Sequence, residues 1–205
     1  ISVGLIGCGN VGKEHLNVYL KSKIVKKIHI YDPLIDYNSD KKFSSKKIIL
    51  YKNKEKFFAQ SFKIASICNY DADHAELIKL FIKKNTHIFA EKPISTNLND
   101  LKKINFLLNK KKHKIMLGSN LILRESSLFK QIKKRIKRGD FGKIFYFEGD
   151  YLYGRLNKIL NGWRGKEIDY SVITGGAIHL IDLMIYLLGS FPTTVKSYQN
   201  KIVTA

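Results

Sequence analysis

Apolar residues fall along this chain in short continuous runs, separated by segments where they recur every third or fourth position. Ile1 to Ile6, Ile28 to Tyr31, Ile48 to Tyr51, Ile64 to Cys68, Thr86 to Ala90 and Ile115 to Leu117 have strand length and little polar alternation, as strands buried on both faces do. Between them the period changes. A helical pattern follows Gly12, a short one covers Lys54 to Ser61, and Asp71 to Lys84 carries Ala75, Leu77, Ile78, Phe81 and Ile82 at helical spacing. Ser95-Thr96-Asn97 is a cluster of helix-start residues ahead of an amphipathic segment from Leu98 to Asn109. Strand and helix in strict alternation predict a doubly wound parallel sheet. Near Gly118 the character changes to a basic helix from Ser126 to Lys137, a turn at Arg138-Gly139-Asp140, a long strand from Lys143 to Tyr153 and a last strand at Thr194 to Ser197. The pattern therefore predicts an α/β domain over residues 1–118 and a partial second domain over 119–205, with no internal repeat.

The first strand runs directly into Gly7-Cys8-Gly9-Asn10-Val11-Gly12 and then into a helix. In a dinucleotide-binding turn the first glycine bends the chain out of the strand, the second lets backbone approach a pyrophosphate, and the third lets helix pack on strand. Gly7, Gly9 and Gly12 stand at those positions, and phosphates would lie on the positive end of the helix starting near Asn10 and Val11. The second strand ends at Asp32, twenty residues past Gly12, where a carboxylate can accept from both adenosine ribose hydroxyls. The same charge would repel a 2'-phosphate, which favours NAD over NADP. The competing reading of Asp32 is an ordinary turn residue before Pro33.

Composition narrows the picture. The 205 residues are 44% hydrophobic, enough for one complete and one partial domain, and no uninterrupted apolar segment reaches membrane-spanning length. No signal-peptide pattern opens the chain, so a cytoplasmic location is expected. Cys8 and Cys68 lack disulfide-framework or metal-ligand spacing and read as small buried residues, and no metal site is expected. The net charge of +20 is what a nucleic-acid binder shows. However, only five of the 37 basic residues are Arg, the lysines are dispersed among Ile and Asn, and no helix-turn-helix, zinc-finger or RNA-binding signature is present. Attraction of phosphorylated substrates is compatible with this charge, and neither a specific nucleic acid nor a membrane is expected as a partner.

Glu91-Lys92-Pro93 follows directly on the strand Thr86 to Ala90, which sets a lysine at the carboxyl end of a parallel strand, where ligands bind in open α/β sheets. Together with the glycine turn and Gly175-Gly176-Ala177-Ile178-His179-Leu180-Ile181-Asp182, this tripeptide resembles the Gfo/Idh/MocA family of oxidoreductases over nearly the whole chain. The resemblance implies a Rossmann-type domain followed by an α+β domain with an open, mainly antiparallel sheet. It also implies NAD(P)-dependent oxidation or reduction of a sugar, cyclitol or nucleotide-sugar carbon without a metal. By resemblance, Lys92 lies near the nicotinamide and the reacting hydroxyl, Pro93 shapes the turn, often through a cis peptide, and His179 gives or takes a proton. Asn69, His74 and Glu91 are placed near the cofactor in the same way. Asp182, three residues past His179, would either orient the imidazole or hold the helix in place.

The stretches Asp150-Tyr151-Leu152-Tyr153-Gly154-Arg155 and Asn161-Gly162-Trp163-Arg164 combine aromatics, guanidinium groups and amides. Tyr153, Arg155, Trp163 and Arg164 suit stacking against a sugar and clamping an anion, although the tyrosines could equally alternate on a sheet while Trp163 fills a core. Asn120 corresponds to a family position near the active site. The family often carries Asp or Asn four residues before the histidine, where this chain has Gly175. Asp169 could substitute, Lys92 and His179 could act without it, or activity could be reduced or absent. Relatives usually need on the order of a hundred further residues to complete the second sheet, a domain-sized length. The chain is thus expected to be a fragment, a truncated product or dependent on homo-oligomerisation through that sheet. The expected activity is NAD-dependent hydride transfer to or from a sugar or nucleotide-sugar ring carbon, with surface-polysaccharide precursor synthesis as a setting. The alternative is a non-catalytic dinucleotide-binding or regulatory relative.

Overall fold

The computed structural model describes residues 1–37, 41–112, 114–152, 154–166 and 171–198. Six strands, β1 (Ser2–Ile6), β2 (Lys27–Tyr31), β3 (Ile48–Tyr51), β4 (Ile64–Ile67), β5 (His87–Ala90) and β6 (Leu117–Ser119), form one sheet in the order β3-β2-β1-β4-β5-β6. Every neighbouring pair is parallel, with Leu5 of β1 registered against Ile30 of β2 and Ser66 of β4. The strand order reverses between β1 and β4, the crevice where such sheets bind ligands.

Side chains of β1 alternate between the two faces. Val3 and Leu5 are fully buried in a cluster with Ile28, Ile30 and Leu16 of helix α1 (Asn10–Lys21). Ile6 belongs to the other cluster, with Ile67, Ile88, and Ile78 and Phe81 of α3 (His74–Lys83), which follows the short helix α2 (Lys54–Phe58). Each such side chain, fully removed from water, contributes roughly 1.5–3 kcal/mol. Ile104 of α4 (Leu98–Lys110) joins the second cluster, and Lys79 ties α3 to α4 by donating to Asp100 at 2.9 Å.

Several boundaries differ from the expected ones. The expected helix Lys54 to Ser61 stops at Phe58, where Ala59 and Gln60 close a turn by donating to Glu55 and Phe57. Residues Asp71–Asp73 form a separate 3-10 turn ahead of α3. The last strand lies at Leu117–Ser119 rather than 115–117, because Ile115 is buried in the core before the chain reaches register with Ile88 and Phe89. An apolar run reports burial and leaves the ladder undetermined.

The chain divides into two compact units, residues 1–120 with 153–175 and residues 121–152 with 176–205. The described part of 154–175, expected in the second domain, therefore belongs to the first unit. The second unit begins with a 3-10 turn at Ile122–Glu125 and α5 (Ser127–Arg138), which ends on Gly139 at φ +82°. Then α6 (Leu156–Leu160) and a turn at Trp163–Lys166 belong to the first unit, and α7 (Ile178–Leu188) to the second. The strands expected at 143–153 and 194–197 are not formed among the described residues, which pair with no neighbour. A strand requires a partner for its N–H and C=O groups, and none stands beside them among the described residues. No helix among the described residues is long and apolar enough to cross a membrane.

Candidate dinucleotide-binding site

A cavity of about 800 Å³ opens at the carboxyl ends of β1, β2, β4 and β5, entirely within the first unit. Gly7 leaves β1 at φ +78°, a left-handed conformation that L side chains rarely adopt, and a Cβ there would meet the backbone N of Asn69 at 2.6 Å. Gly12 packs on that turn so closely that a Cβ would lie 2.1 Å from the Gly7 carbonyl oxygen. By contrast, nothing lies within 4 Å of the corresponding point on Gly9. Gly9 is the N-cap of α1, its cap carries no side-chain hydrogen bond, and the first turn has no acidic residue. Unsatisfied N–H groups and an open approach at the positive end of a twelve-residue helix fit a pyrophosphate.

Asp32, directly after β2, is held in place. Its Oδ2 accepts from the Cys8 backbone N–H at 2.7 Å and its Oδ1 from Leu34 at 2.9 Å, while the Tyr37 hydroxyl donates to its carbonyl at 3.0 Å. Burial pushes the Tyr37 phenol above its ordinary pKa, so it stays protonated. A carboxylate has about four lone-pair sites, which leaves capacity for ribose hydroxyls beside these two backbone donors.

On the other flank, Lys92 follows β5 and joins Pro93 through a cis peptide bond. Its Nζ donates to the Gly175 carbonyl oxygen at 2.7 Å. Glu91 lies beside it, its Oε1 accepting from Asn120 Nδ2 at 2.7 Å and lying 3.1 Å from His15 Nε2. Burial alone would raise the Glu91 pKa, but the hydrogen bonds from His15 and Asn120 and the Lys92 charge outweigh it and bring it below the ordinary range. Cys68, also lining the cavity, is pushed up to about 12 by burial and remains a thiol.

Of the residues expected to hold a cofactor, Gly7, Gly9, Asn10, Val11, Asp32, Asn69, Glu91 and Lys92 line this cavity, and Gly12 supports it from behind. His74 corrects its expected place: it is fully buried, with both ring nitrogens on backbone carbonyls. Trp163 and Arg164, expected at a substrate, line the same cavity as the glycine turn. The Trp163 ring stacks on Tyr70 at 4.9 Å and the Arg164 guanidinium lies 4.2 Å over it. Asn120 serves the Glu91 carboxylate, and Arg155 is exposed as the residue preceding α6. In the second unit, His179 is half-buried in the first turn of α7, and Asp182 gives both carboxylate oxygens to Arg124, at 2.5 and 2.7 Å. Asp182 therefore anchors α7 to the turn that carries Arg124. Tyr153 and Asp169 lie outside the described residues. The pattern overlooked His15 and Tyr70. His15 had a readable signal, since it sits between Gly12 and Leu16 on the buried stripe of α1, where a polar side chain needs a partner.

A parallel sheet in this order, a glycine turn at a helix N-terminus and a fixed acid at the end of β2 define a dinucleotide-binding Rossmann domain. Residues 1–119 match the model for the oxidoreductase family with an NAD-binding Rossmann fold, and residues 133–202 match the model for that family's C-terminal alpha/beta domain. The chain belongs to the Gfo/Idh/MocA oxidoreductase family. It is 29% identical to the uncharacterized oxidoreductase YrbE of Bacillus subtilis, over 95% of this chain and 56% of that one. It is 24% identical to the myo-inositol 2-dehydrogenase of Thermotoga maritima, over 91% and 54%. Among solved structures, the myo-inositol 2-dehydrogenase of Lactobacillus plantarum superposes with a TM-score of 0.76 at 19% identity, covering 92% of this chain and 56% of that chain. A levoglucosan dehydrogenase in complex with NADH and levoglucosan superposes at 0.70 and 20% identity, covering 92% and 54%. The chain thus spans about half the length of the relatives it matches.

Proposed function

We propose that the cavity binds NAD and that the chain serves in an oxidoreductase acting on a CH–OH carbon of a sugar or cyclitol. The observation that carries this reading is Asp32, a carboxylate held by two backbone donors at the end of β2, opposite an open Gly9 at the α1 N-terminus. Bound NAD would supply a hydride acceptor at its nicotinamide. Asp32 selects an unphosphorylated ribose, the first N–H groups of α1 hold the pyrophosphate, and Trp163 with Arg164 borders the same cavity. The Lys92 ammonium hydrogen-bonds the substrate oxygen and steadies the negative charge that develops on it, and the hydroxyl proton passes to a ring nitrogen of His179 as the C–H hydride leaves and C=O forms. The substrates named for the inositol and levoglucosan dehydrogenases, both polyhydroxylated rings, support the substrate class.

Gly175 favours a second reading. Where the family often carries an acid or amide side chain, this position offers the Lys92 ammonium a backbone carbonyl, which cannot accept a proton in turnover. On that reading the chain binds dinucleotide without catalysis. Phe145, Leu152 and Tyr198 are each more than nine-tenths exposed, an apolar surface that supports a homo-oligomer contact through these segments, where the family resemblance implies an open, mainly antiparallel sheet.

Titration with NADH and NADPH by nicotinamide fluorescence, repeated on Asp32→Ala, tests the binding reading. Saturable NADH binding, weaker NADPH binding and loss of that preference in the variant are expected. Absence of binding by either nucleotide overturns it. Binding with no hydride exchange across a panel of cyclitols, sugars and nucleotide sugars selects the non-catalytic reading.

A further inference from the structure

Helices on opposite faces of the sheet each send one buried histidine to the same tripeptide. From α1, His15 is only 8% exposed, its Nδ1 2.7 Å from Ser66 Oγ on β4 and its Nε2 3.1 Å from Glu91 Oε1. From α3, His74 is fully buried, its Nδ1 2.7 Å from the Pro93 carbonyl oxygen and its Nε2 3.2 Å from that of Asn69. The two rings thus grip the residues immediately before and after Lys92. Neither ring lines the cavity. A buried imidazole costs more to desolvate than the leucine or isoleucine typical of such helix positions. Here both costs are met at neighbouring points of a single turn.

We propose that His15 and His74 are positioning residues for Lys92. With Glu91 and Pro93 held, the Lys92 backbone has one position and its ammonium is presented to the cavity against the Gly175 carbonyl. This gives the site a pre-set proton-handling group, and its meaning for catalysis rests on the oxidoreductase reading above. The geometry also predicts which substitutions preserve it. Glutamine places its amide nitrogen where His15 Nε2 stands, and asparagine places its own where His74 Nδ1 stands.

Competitive acetylation, quantified lysine by lysine by peptide mass spectrometry across pH, reads the proposal without requiring turnover or nucleotide binding. In His15→Ala and His74→Ala, Lys92 is expected to leave the Gly175 carbonyl and acetylate at least threefold faster with an altered pH profile. His15→Gln and His74→Asn should restore the wild-type rate. Lys47, which donates to the Leu20 carbonyl at the end of α1, and Lys79 on α3 report general loosening of the two helices. They should stay unchanged. A Lys92 rate that does not move, or that rises only together with Lys47 or Lys79, overturns the proposal. If an alanine variant fails to fold, His15→Leu and His74→Leu fill the volume without the hydrogen bonds and carry the same expectation. Should the wild-type chain fail to bind NADH, the oxidoreductase reading falls while the acetylation result still decides the clamp.

Discussion

The two units of this chain treat similar apolar side chains in opposite ways. In the first, Phe57, Phe81, Leu5 and Ile30 are fully buried between parallel strands and the helices covering them. In the second, Phe145, Leu152, Phe191, Val195 and Tyr198 range from 76% to 94% exposed, and the buried side chains of α7 are Asp182, Leu183 and Leu187. Hydrophobicity alone does not bury a residue. Each strand of the first unit has a registered neighbour and a helix on its face, whereas the described parts of 143–152 and 191–198 have no registered neighbour, although Gly149 lies against Leu180 of α7. The first unit is therefore expected to carry the measurable stability and the nucleotide site.

Paired truncations test that contrast most severely. Phe57→Ala removes a fully buried ring that contacts Tyr31, Phe58 and Phe62, and should cost about 3–5 kcal/mol in urea unfolding. Phe145→Ala, at 94% exposure, should change stability by no more than about 0.5 kcal/mol. Comparable losses at both positions would show that the second unit buries Phe145 in solution.

The contrast also explains what could be read from residues alone. The run through Gly7 to Gly12 and the acid at Asp32 were legible because their geometry is local: a strand, a turn and a helix start in sequence. The tripeptide Glu91-Lys92-Pro93 was legible through its place after β5. Its supports were not, because His15 reaches Glu91 across 76 residues and Tyr70 meets Trp163 from another segment altogether. Trp163 and Arg164 carried the right chemistry but were expected at a substrate. Side-chain type does not reveal which cavity a distant segment will line. The strand expected from Lys143 failed for a related reason, since β propensity describes fitness for a sheet that must be supplied by other residues.

Glu91 sharpens the comparison by pH. Its lowered pKa means the native state prefers the carboxylate more than the unfolded chain does, so its contribution is full above about pH 4.3 and is lost as pH falls through the lower native value. Hydrogen bonds to charged groups are worth about 1.5–3 kcal/mol. Thermal melts between pH 6 and pH 2.5 should therefore show a steeper acid loss for wild type than for Glu91→Gln. Parallel curves would mean that His15 and Asn120 do not hold a charged carboxylate.

Arg124 and Asp182 are the second unit's best-made polar contact, bidentate, with the carboxylate largely buried and the guanidinium 42% exposed. Solvent at the arginine discounts what a fully buried pair would lose. Arg124→Ala should cost about 1–2 kcal/mol in urea unfolding of whatever transition α7 belongs to. NADH affinity should stay within twofold, because neither residue lines the cavity. A large loss of NADH binding would mean that the anchoring of α7 matters to the nucleotide site.

The smallest effect separates one helix of each unit, α4 and α5, at its start. Asn97 caps α4 by accepting from the backbone N–H groups of Asn99 at 2.8 Å and Asp100 at 3.4 Å, whereas Ser126 ahead of α5 makes no side-chain cap bond. Losing a working cap costs about 1 kcal/mol, so Asn97→Ala should lower stability by that amount. Ser126→Ala should leave it within a few tenths, since no orphan donor loses its partner. Amide exchange in the first turn of each helix provides the local check. Asn99 and Asp100 should exchange about fivefold faster in Asn97→Ala, as loss of about 1 kcal/mol implies, while the first turn of α5 should be unaffected by Ser126→Ala. If Ser126→Ala instead deprotects α5, that helix is capped in solution and its start is as well specified as that of α4.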